Sequence, residues 1–264
     1  MKIALLFSGQ PRYLSNPFPL LSHQREVINK YDTDVYVHTW YDENVKEYDF
    51  SSWSRISSCS VESNAPEKIK QMYNPVEIVI EKSKKFKFSP FTKQLLDGFT
   101  FRNGFTKEQG WTDKNYNNIL SSLYSIERVC KLVEPNKGKY DFIIWSRLDN
   151  IIYKLPDLNQ CSASKFYLSD HHPKFPDLLF FFGHKFLDAL KIYSSVDNLI
   201  QNNINNLWGP SLNEPLKMFN YIRNFDVKDI CPIRLPVRVV RDIENRGDTD
   251  KLYEYGLSNE DMFL

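Results

Sequence analysis

The sequence predicts an α/β fold built on a mostly parallel central sheet with helices on both faces, and three observations predict it. A strand, a helix and a second strand follow one another between Lys2 and Trp40, the opening of an α/β unit. The segment Tyr140-Asp141-Phe142-Ile143-Ile144-Trp145 is apolar almost throughout, as a central strand covered on both faces should be. Just before it, Ile119, Leu123, Ile126, Cys130 and Val133 fall on one helical stripe.

Taken in order, Lys2 to Phe7 is a short apolar strand that stops at Ser8-Gly9-Gln10-Pro11-Arg12, where Gly and Pro break the pattern. Leu20 to Tyr31 is compatible with a helix, and Asp34 to Trp40 is β-branched and aromatic enough for the second strand. Residues 41 to 75 are polar and weakly periodic, and no element is placed there. Val76, Ile78 and Ile80 alternate with Glu77, Val79 and Glu81, which marks a third, more peripheral strand. The basic segment Lys82 to Lys87 leads into a stretch without a clear period up to Asn115, the signature of a functional loop or an insertion.

The striped helix starts near Asn117 or Asn118, carries Ser121, Ser122, Ser125 and Arg128 on its other side, and is stopped by Pro135 and Gly138. Further on, Lys165 to Ser169 and Asp177 to Phe182 are expected strands, and Lys185 to Ile200 an expected helix. Ser211 and Glu214 have the spacing of a capping box opening a helix through Arg223. Val237 to Val240 is a last short strand. With no repeat or linker, residues 1–264 are expected to form a single domain with a more regular half, 1–150, and a more irregular half, 151–264.

Composition narrows the function. Lys+Arg 34 against Asp+Glu 33 gives a net charge of +1, without the electrostatic pull typical of nucleic-acid or membrane-surface binders. The longest apolar runs, Ile3 to Phe7 and Leu178 to Phe182, are far below the roughly 18 residues of a spanning helix. The first run follows Met1-Lys2 with no cleavable small-residue site behind it, so it reads as a buried strand. Cys59, Cys130, Cys161 and Cys231 are widely spaced and suit a reducing compartment, so a soluble, cytoplasmic protein is expected.

In open α/β sheets ligands collect at the carboxyl ends of parallel strands. The first such end offers Ser8, Gly9, Gln10 and Arg12, the second His38, Thr39 and Trp40, and the fourth Arg147, Asp149 and Asn150. Gly9 lets a backbone N–H approach a ligand, and the Arg12 fork suits phosphate oxygens; the alternative is an ordinary turn with a solvated arginine. Asp149 is placed to ligate a divalent cation that bridges a diphosphate, with Asn150 as a neutral oxygen ligand and Arg147 neutralising a phosphate. The alternative is a buried ion pair of Arg147 with Asp149 or Asp141 that pins the strand end.

The segments Ile3 to Arg12, Asp34 to Trp40 and Tyr140 to Asp149 resemble a group of bacterial and viral glycosyltransferases in which a Ser-Gly-Gln-Pro-Arg loop, a strand ending His-Thr-Trp and a strand ending Arg-x-Asp recur in this order. The match covers the strands and the Ser121-to-Ser125 helix within the first 150 residues, with a looser similarity at Asp177 to Gly183. The resemblance implies a GT-A-type, Rossmann-like fold that binds a nucleoside diphosphate sugar, with Mn²⁺ or Mg²⁺ at an Asp-x-Asp motif. It implies a glycan or glycoprotein acceptor, in the cytoplasm of a bacterium or a virus-infected cell. Here the motif is Arg147-Leu148-Asp149, with arginine in the first acidic position, which weakens the expected metal affinity or makes the metal dispensable.

Asp177 and Glu214 are the candidate general bases for an acceptor hydroxyl, Glu214 competing with its role as partner of a Ser211 cap. Asp170, His171 and His172 lack a third ligand at matching spacing, and Lys82 to Lys87 with Arg234, Arg238 and Arg241 are the basic residues able to flank an anionic substrate. Two other classes stay open: a nucleotidyltransferase, which normally wants two or three carboxylates on its metals, and a non-catalytic nucleotide- or glycan-binding protein on the same fold.

Overall fold

The computed structural model describes residues 1–49, 58–102, 113–169, 178–203, 229–233 and 237–239. Its first half follows the expected alternation: β1 (Lys2–Gly9), α1 (Pro17–His23), β2 (Asp32–Trp40), β3 (Glu47–Asp49), β4 (Ser58–Ser60), α2 (Ala65–Tyr73), β5 (Glu77–Glu81), α3 (Pro90–Arg102), α4 (Asp113–Val133) and β6 (Phe142–Ser146). The second half adds β7 (Asn150–Ile152), β8 (Phe166–Ser169), β9 (Leu179–Phe182), α5 (Val196–Asn203), β10 (Ile230–Ile233) and β11 (Val237–Val239).

Among the described residues the main sheet has seven strands in the order β10-β8-β9-β6-β1-β2-β5. All run parallel except β9, which is antiparallel to both β6 and β8. The α/β class and the mostly parallel sheet are therefore as the sequence predicts, with the Val76 to Glu81 segment at the sheet edge. Short antiparallel pairs, β3 with β4 and β7 with β11, flank the sheet.

Side-chain alternation along β1 divides the core. Ile3, Leu5 and Phe7 pack with Val27, Ile69, Tyr73 and Leu148, whereas Ala4 and Leu6 pack with Leu123, Ile126, Val129 and Cys130 of α4. In β6 the same parity sends Phe142 and Ile144 to the first layer and Ile143 and Trp145 to the second. Both faces of β1 and β6 are thus covered, which is why these strands carry almost no polar residue before their carboxyl ends.

Several expectations need correction. Residues 41–75 contain the short β3/β4 pair and α2, and the stretch up to Asn115 contains α3. The helix expected over Leu20 to Tyr31 is split into α1, which starts earlier at an Asn16 cap, and one wider π-helical turn, Gln24–Ile28. The helix expected over Lys185 to Ile200 is broken: 3₁₀ turns over His184–Leu190 and Tyr193–Ser195 precede α5, and Lys191, at φ −85° and ψ 64°, interrupts the path. Ser125 is fully buried on α4, not on its solvent side. No helix among the described residues is long and apolar enough to cross a membrane, and no disulfide joins Cys59, Cys130, Cys161 or Cys231.

Candidate functional site

The strand order reverses between β1 and β6: from β1 the chain moves to β2 and β5 on one side, then returns through α4 to place β6 on the other. Such a reversal opens a crevice beyond the carboxyl ends of the strands. The register sets those ends level, with Phe7 opposite Ser146, Ser8 opposite His38 and Gly9 opposite Thr39. The three polar strand ends singled out in the sequence are therefore neighbours along one edge of the sheet.

At the end of β1, Gly9 has φ +116°, a conformation open to glycine and strained for other residues. The Thr39 hydroxyl donates to the Gly9 carbonyl at 3.0 Å and ties the two strand ends together. The Trp145 indole N–H donates to Ser8 Oγ at 2.9 Å, and the ring stacks on Phe180. Ser8 Oγ is thereby fixed as an acceptor with its own proton left to donate. Past the glycine, the Arg12 guanidinium donates to the Gln10 side-chain oxygen, and the Arg12 N–H to the Gln10 carbonyl at 2.9 Å, closing a tight half-buried turn.

At the end of β6, Arg147 and Asp149 form a two-pronged pair: Nε to Oδ1 at 2.8 Å and a terminal nitrogen to Oδ2 at 2.7 Å. The Asp149 side chain is 3% exposed and that of Arg147 17%, so the carboxylate is sealed and the guanidinium is the more accessible partner. This realises the ion pair held open as the alternative reading, with Asp149 and not with Asp141. Asp141 instead accepts from the Lys2 backbone N–H at 2.8 Å at the opposite end of the strand.

The loop that presents Asp149 is held from below. Ser22 Oγ accepts from the Ile152 N–H at 3.0 Å, Glu26 accepts from the Leu155 N–H at 2.9 Å, and Arg25 donates to the Tyr153 carbonyl at 2.6 Å. Val239 of β11 pairs with Asn150. Beside this loop lies His23, fully buried, with Nδ1 3.1 Å from the Tyr73 hydroxyl and its ring edge-on to Phe7. Burial pushes the His23 pKa down to about 3 against the opposing pull of the Asp149 charge. His23 was missed in the sequence, although Ser22, His23, Glu26 and Val27 are a buried stripe at helical spacing.

Comparison with known protein families and with curated proteins finds no match. The site is therefore read from its own residues.

Two of the predicted ligand contacts lie in the interior. Trp40 is 2% exposed and stacks on Tyr124 with Phe86 and His38 against its edges, so it is a wall of the α4-side core and not a platform for a base. Thr39 is fully buried and acts through the Gly9 carbonyl. Ser8, Gly9, Gln10, Arg12 and Arg147 remain at the edge where a ligand would sit. Asp177 and Glu214, like Asp170, His171, His172, Arg234 and Arg241, lie outside the described residues.

The expected metal pair, Asp149 and Asn150, makes a poor cation site as folded. Both Asp149 oxygens accept from a cation already, and the fully buried Asn150 carboxamide donates to Ser146 Oγ at 3.1 Å and to the Leu178 carbonyl. Asn150 Oδ1 is buried without a hydrogen-bond partner, but it is a single neutral oxygen, and Mg²⁺ in a phosphate site is normally held by at least one carboxylate. No group of three His, Cys, Asp or Glu side chains converges among the described residues.

A second polar cluster sits on the α4 side of β2. His38 Nδ1 lies 2.7 Å from Ser125 Oγ and Nε2 3.4 Å from Glu81, whose carboxylate also accepts from Arg128 Nε at 2.9 Å, from Tyr124 and from Lys84. Burial opposes ionisation of Glu81, but the hydrogen bonds from Lys84 and Tyr124 hold its pKa down at about 2. His38, drained of water by burial, titrates at about 4. The arrangement Ser125-His38-Glu81 resembles a nucleophilic triad in order, yet Ser125 and His38 are fully buried. Its role is to bolt α4 onto β2 and β5.

Proposed function

We propose that the protein is a glycosyltransferase of the GT-A type, moving a monosaccharide from a nucleoside diphosphate sugar to a hydroxyl of a glycan or glycoprotein. One observation carries the reading: the carboxyl ends of β1, β2 and β6 meet level at the strand-order reversal, with a glycine at positive φ on one lip and a guanidinium fixed on the other. That combination suits a diphosphate, which needs close backbone approach and a planar fork of donors. The resemblance of Ser8 to Arg12, His38 to Trp40 and Arg147 to Asp149 to known glycosyltransferases supports it independently.

In the transfer, the acceptor oxygen bonds to the anomeric carbon as the bond from that carbon to the diphosphate oxygen breaks. The electron pair leaves with the diphosphate, and the hydroxyl proton passes to a base, for which Asp177 and Glu214 are the candidates. The residues at the strand ends act on the leaving group. Ser8 and the Gly9 backbone supply neutral donors, and Arg147 and Arg12 supply positive charge where negative charge grows. Nucleotidyl transfer is the weaker reading, because Asp149 is already paired with Arg147 and no group of three His, Cys, Asp or Glu side chains converges among the described residues.

The test is a panel of UDP-, GDP- and CMP-sugars incubated with purified protein, with chromatographic detection of released nucleotide. Slow donor hydrolysis by one nucleotide class is the expected result. Binding of a nucleotide without any release supports the non-catalytic reading instead, and failure to bind any nucleotide ends both.

A further inference from the structure

Past the carboxyl end of β5 the chain runs through Lys82-Ser83-Lys84-Lys85-Phe86-Lys87, and all the lysines in this segment are exposed. The sheet sets where they lie. β5 is parallel to β2, with Glu81 opposite Trp40, and β2 is parallel to β1, with Thr39 opposite Gly9. Lys82 therefore leaves the sheet at the same edge as Gly9, two strand spacings or about 10 Å along it.

The segment is anchored to the body of the protein. The Tyr41 N–H donates to the Glu81 carbonyl at 2.9 Å, the Phe86 N–H to Asn117 Oδ1 at 2.8 Å, and the Ser89 N–H and hydroxyl to Asp197 at 3.1 and 2.9 Å. Phe86 packs on Tyr124 and Tyr193, and Phe88 is buried against Tyr116. With Phe86 and Phe88 turned inward, the alternating Lys85 and Lys87 are turned outward. Little of the charge is cancelled nearby. Lys84 pairs with Glu81, but that carboxylate also accepts from Arg128 Nε at 2.9 Å and so faces two cations. Lys82 stands 3.6 Å from Asp42 with 68% of its side chain exposed, and Lys85 and Lys87 pair with no carboxylate among the described residues. Lys82, Lys84, Lys85, Lys87 and Arg128 thus outnumber Asp42, Glu81 and Asp197 on a chain whose net charge is only +1.

We infer that Lys82 to Lys87 is the edge that receives the acceptor, and that the acceptor is an acidic saccharide carrying carboxylate groups. The inference rests on the glycosyltransferase reading and adds the chemistry of its second substrate. Residues two apart in an extended segment lie about 7 Å from each other, so Lys85 and Lys87 match a row of negative groups better than a single point charge. Contacts between exposed lysines and anions are weak singly and screened by salt, which suits an acceptor that must leave after each transfer. A lipid surface fits less well, because Phe91 is the one aromatic among the exposed large hydrophobic residues described, too little apolar surface to enter a bilayer interface. Nucleic acid fits less well because the near-neutral chain lacks the broad basic face that phosphate backbones require.

The experiment is isothermal titration of the full chain with oligogalacturonate, which has one carboxylate per sugar, and with a neutral malto-oligosaccharide of equal length, at about 0.05 M and about 0.5 M salt. Binding of the acidic saccharide alone, lost at the higher salt, is the expected result. Lys85→Gln/Lys87→Gln raises its Kd about 2- to 30-fold, the range for two exposed charge contacts, with an unchanged melting temperature. Lys70→Gln/Lys139→Gln removes the same charge from exposed positions on α2 and ahead of the amino end of β6, and leaves Kd as it was. No binding of oligogalacturonate, equal binding of the neutral saccharide, or an equal rise in Kd in both double variants overturns the inference. Phosphatidylglycerol vesicles or single-stranded DNA retained through Lys85 and Lys87, with oligogalacturonate ignored, also overturns it and gives the segment to that partner. The panel of nucleotide sugars tests the parent reading separately. A protein that releases nucleotide but ignores oligogalacturonate keeps the glycosyltransferase reading and loses the inference, and one that binds no nucleotide loses both.

Discussion

Acid should unfold this protein before its carboxylates titrate, because two buried histidines are held neutral. The sign is fixed by the direction of the shifts. Folding lowers the His38 pKa from 6.5 to about 4 and that of His23 from 6.5 to about 3, so the unfolded chain takes up protons first and stability falls as pH falls below 6.5. At about 1.36 kcal/mol per unit, each histidine costs about 2 kcal/mol between pH 7 and pH 5, about 4 kcal/mol together. That is a large share of the 5–15 kcal/mol roughly expected for a whole domain. Glu81 adds almost nothing in this window, since its stabilisation is lost only as pH falls from 4.5 towards about 2. For His38 burial is the largest cause and outweighs the pull of Glu81 toward the protonated form, with Arg128 and Lys84 acting in the same direction as burial. The assay is urea denaturation at pH 7, 6 and 5 with linear extrapolation to water. His38→Asn should halve the slope of stability against pH whatever it does to the absolute value. A stability that stays level between pH 7 and pH 5 in the wild-type protein would refute the reasoning.

Three further substitutions probe the site and its supports. Gly9→Ala should destabilise by about 1–3 kcal/mol from backbone conformation alone, since an added Cβ at φ +116° meets nothing within 4 Å; urea midpoints check it. Gly183→Ala should be worse, because its Cβ would overlap the backbone carbonyl of Ala163, and a loss of soluble folded protein or a drop in melting temperature measures it. Trp145→Phe keeps the stack on Phe180 but deletes the hydrogen bond to Ser8, and should cost about 1 kcal/mol in urea stability while weakening nucleotide binding through the freed Ser8 hydroxyl.

How much of this was legible in the sequence follows from how each signal is encoded. β1, β6 and α4 announce themselves because burial on both faces, or on one helical stripe, leaves a period that local chemistry does not blur: Ile3 to Phe7, Phe142 to Trp145 and Ile119 to Val133 are buried throughout or on schedule. Helix α2 escaped because its inner face rests on Ile69 and Tyr73, with Pro66 and lysines between, too few apolar positions to set a period. β10 escaped because Pro232 interrupts it at a sheet edge, where a missing N–H is tolerated. The polar strand ends were legible as a set, since Gly9-Gln10-Pro11 and Ser146-Arg147 each follow an apolar strand directly. Which of their side chains face a ligand was not. In β2 the parity of Tyr36, His38 and Trp40 sends all three toward α4, so Trp40 joined the core through a neighbour, Tyr124, that lies far away in sequence.

The Arg147–Asp149 pair also bears on why a charge is kept there at all. Burying an ion pair costs several kcal/mol in lost hydration, and attraction between the partners does little more than offset it, so two apolar residues of similar volume would serve the fold as well or better. Breaking the pair from one side should nonetheless cost about 3–5 kcal/mol, because a carboxylate that is 3% exposed would lose its counterion. A stability role therefore predicts that Arg147→Met/Asp149→Leu loses urea stability, whereas a binding role predicts that it is neutral or stabilising in urea and loses nucleotide affinity. If the double apolar variant folds as well as the wild-type protein and still binds a nucleoside diphosphate with unchanged Kd, the charge at this strand end serves neither purpose. If it folds as well and no longer binds, the pair is retained for the ligand.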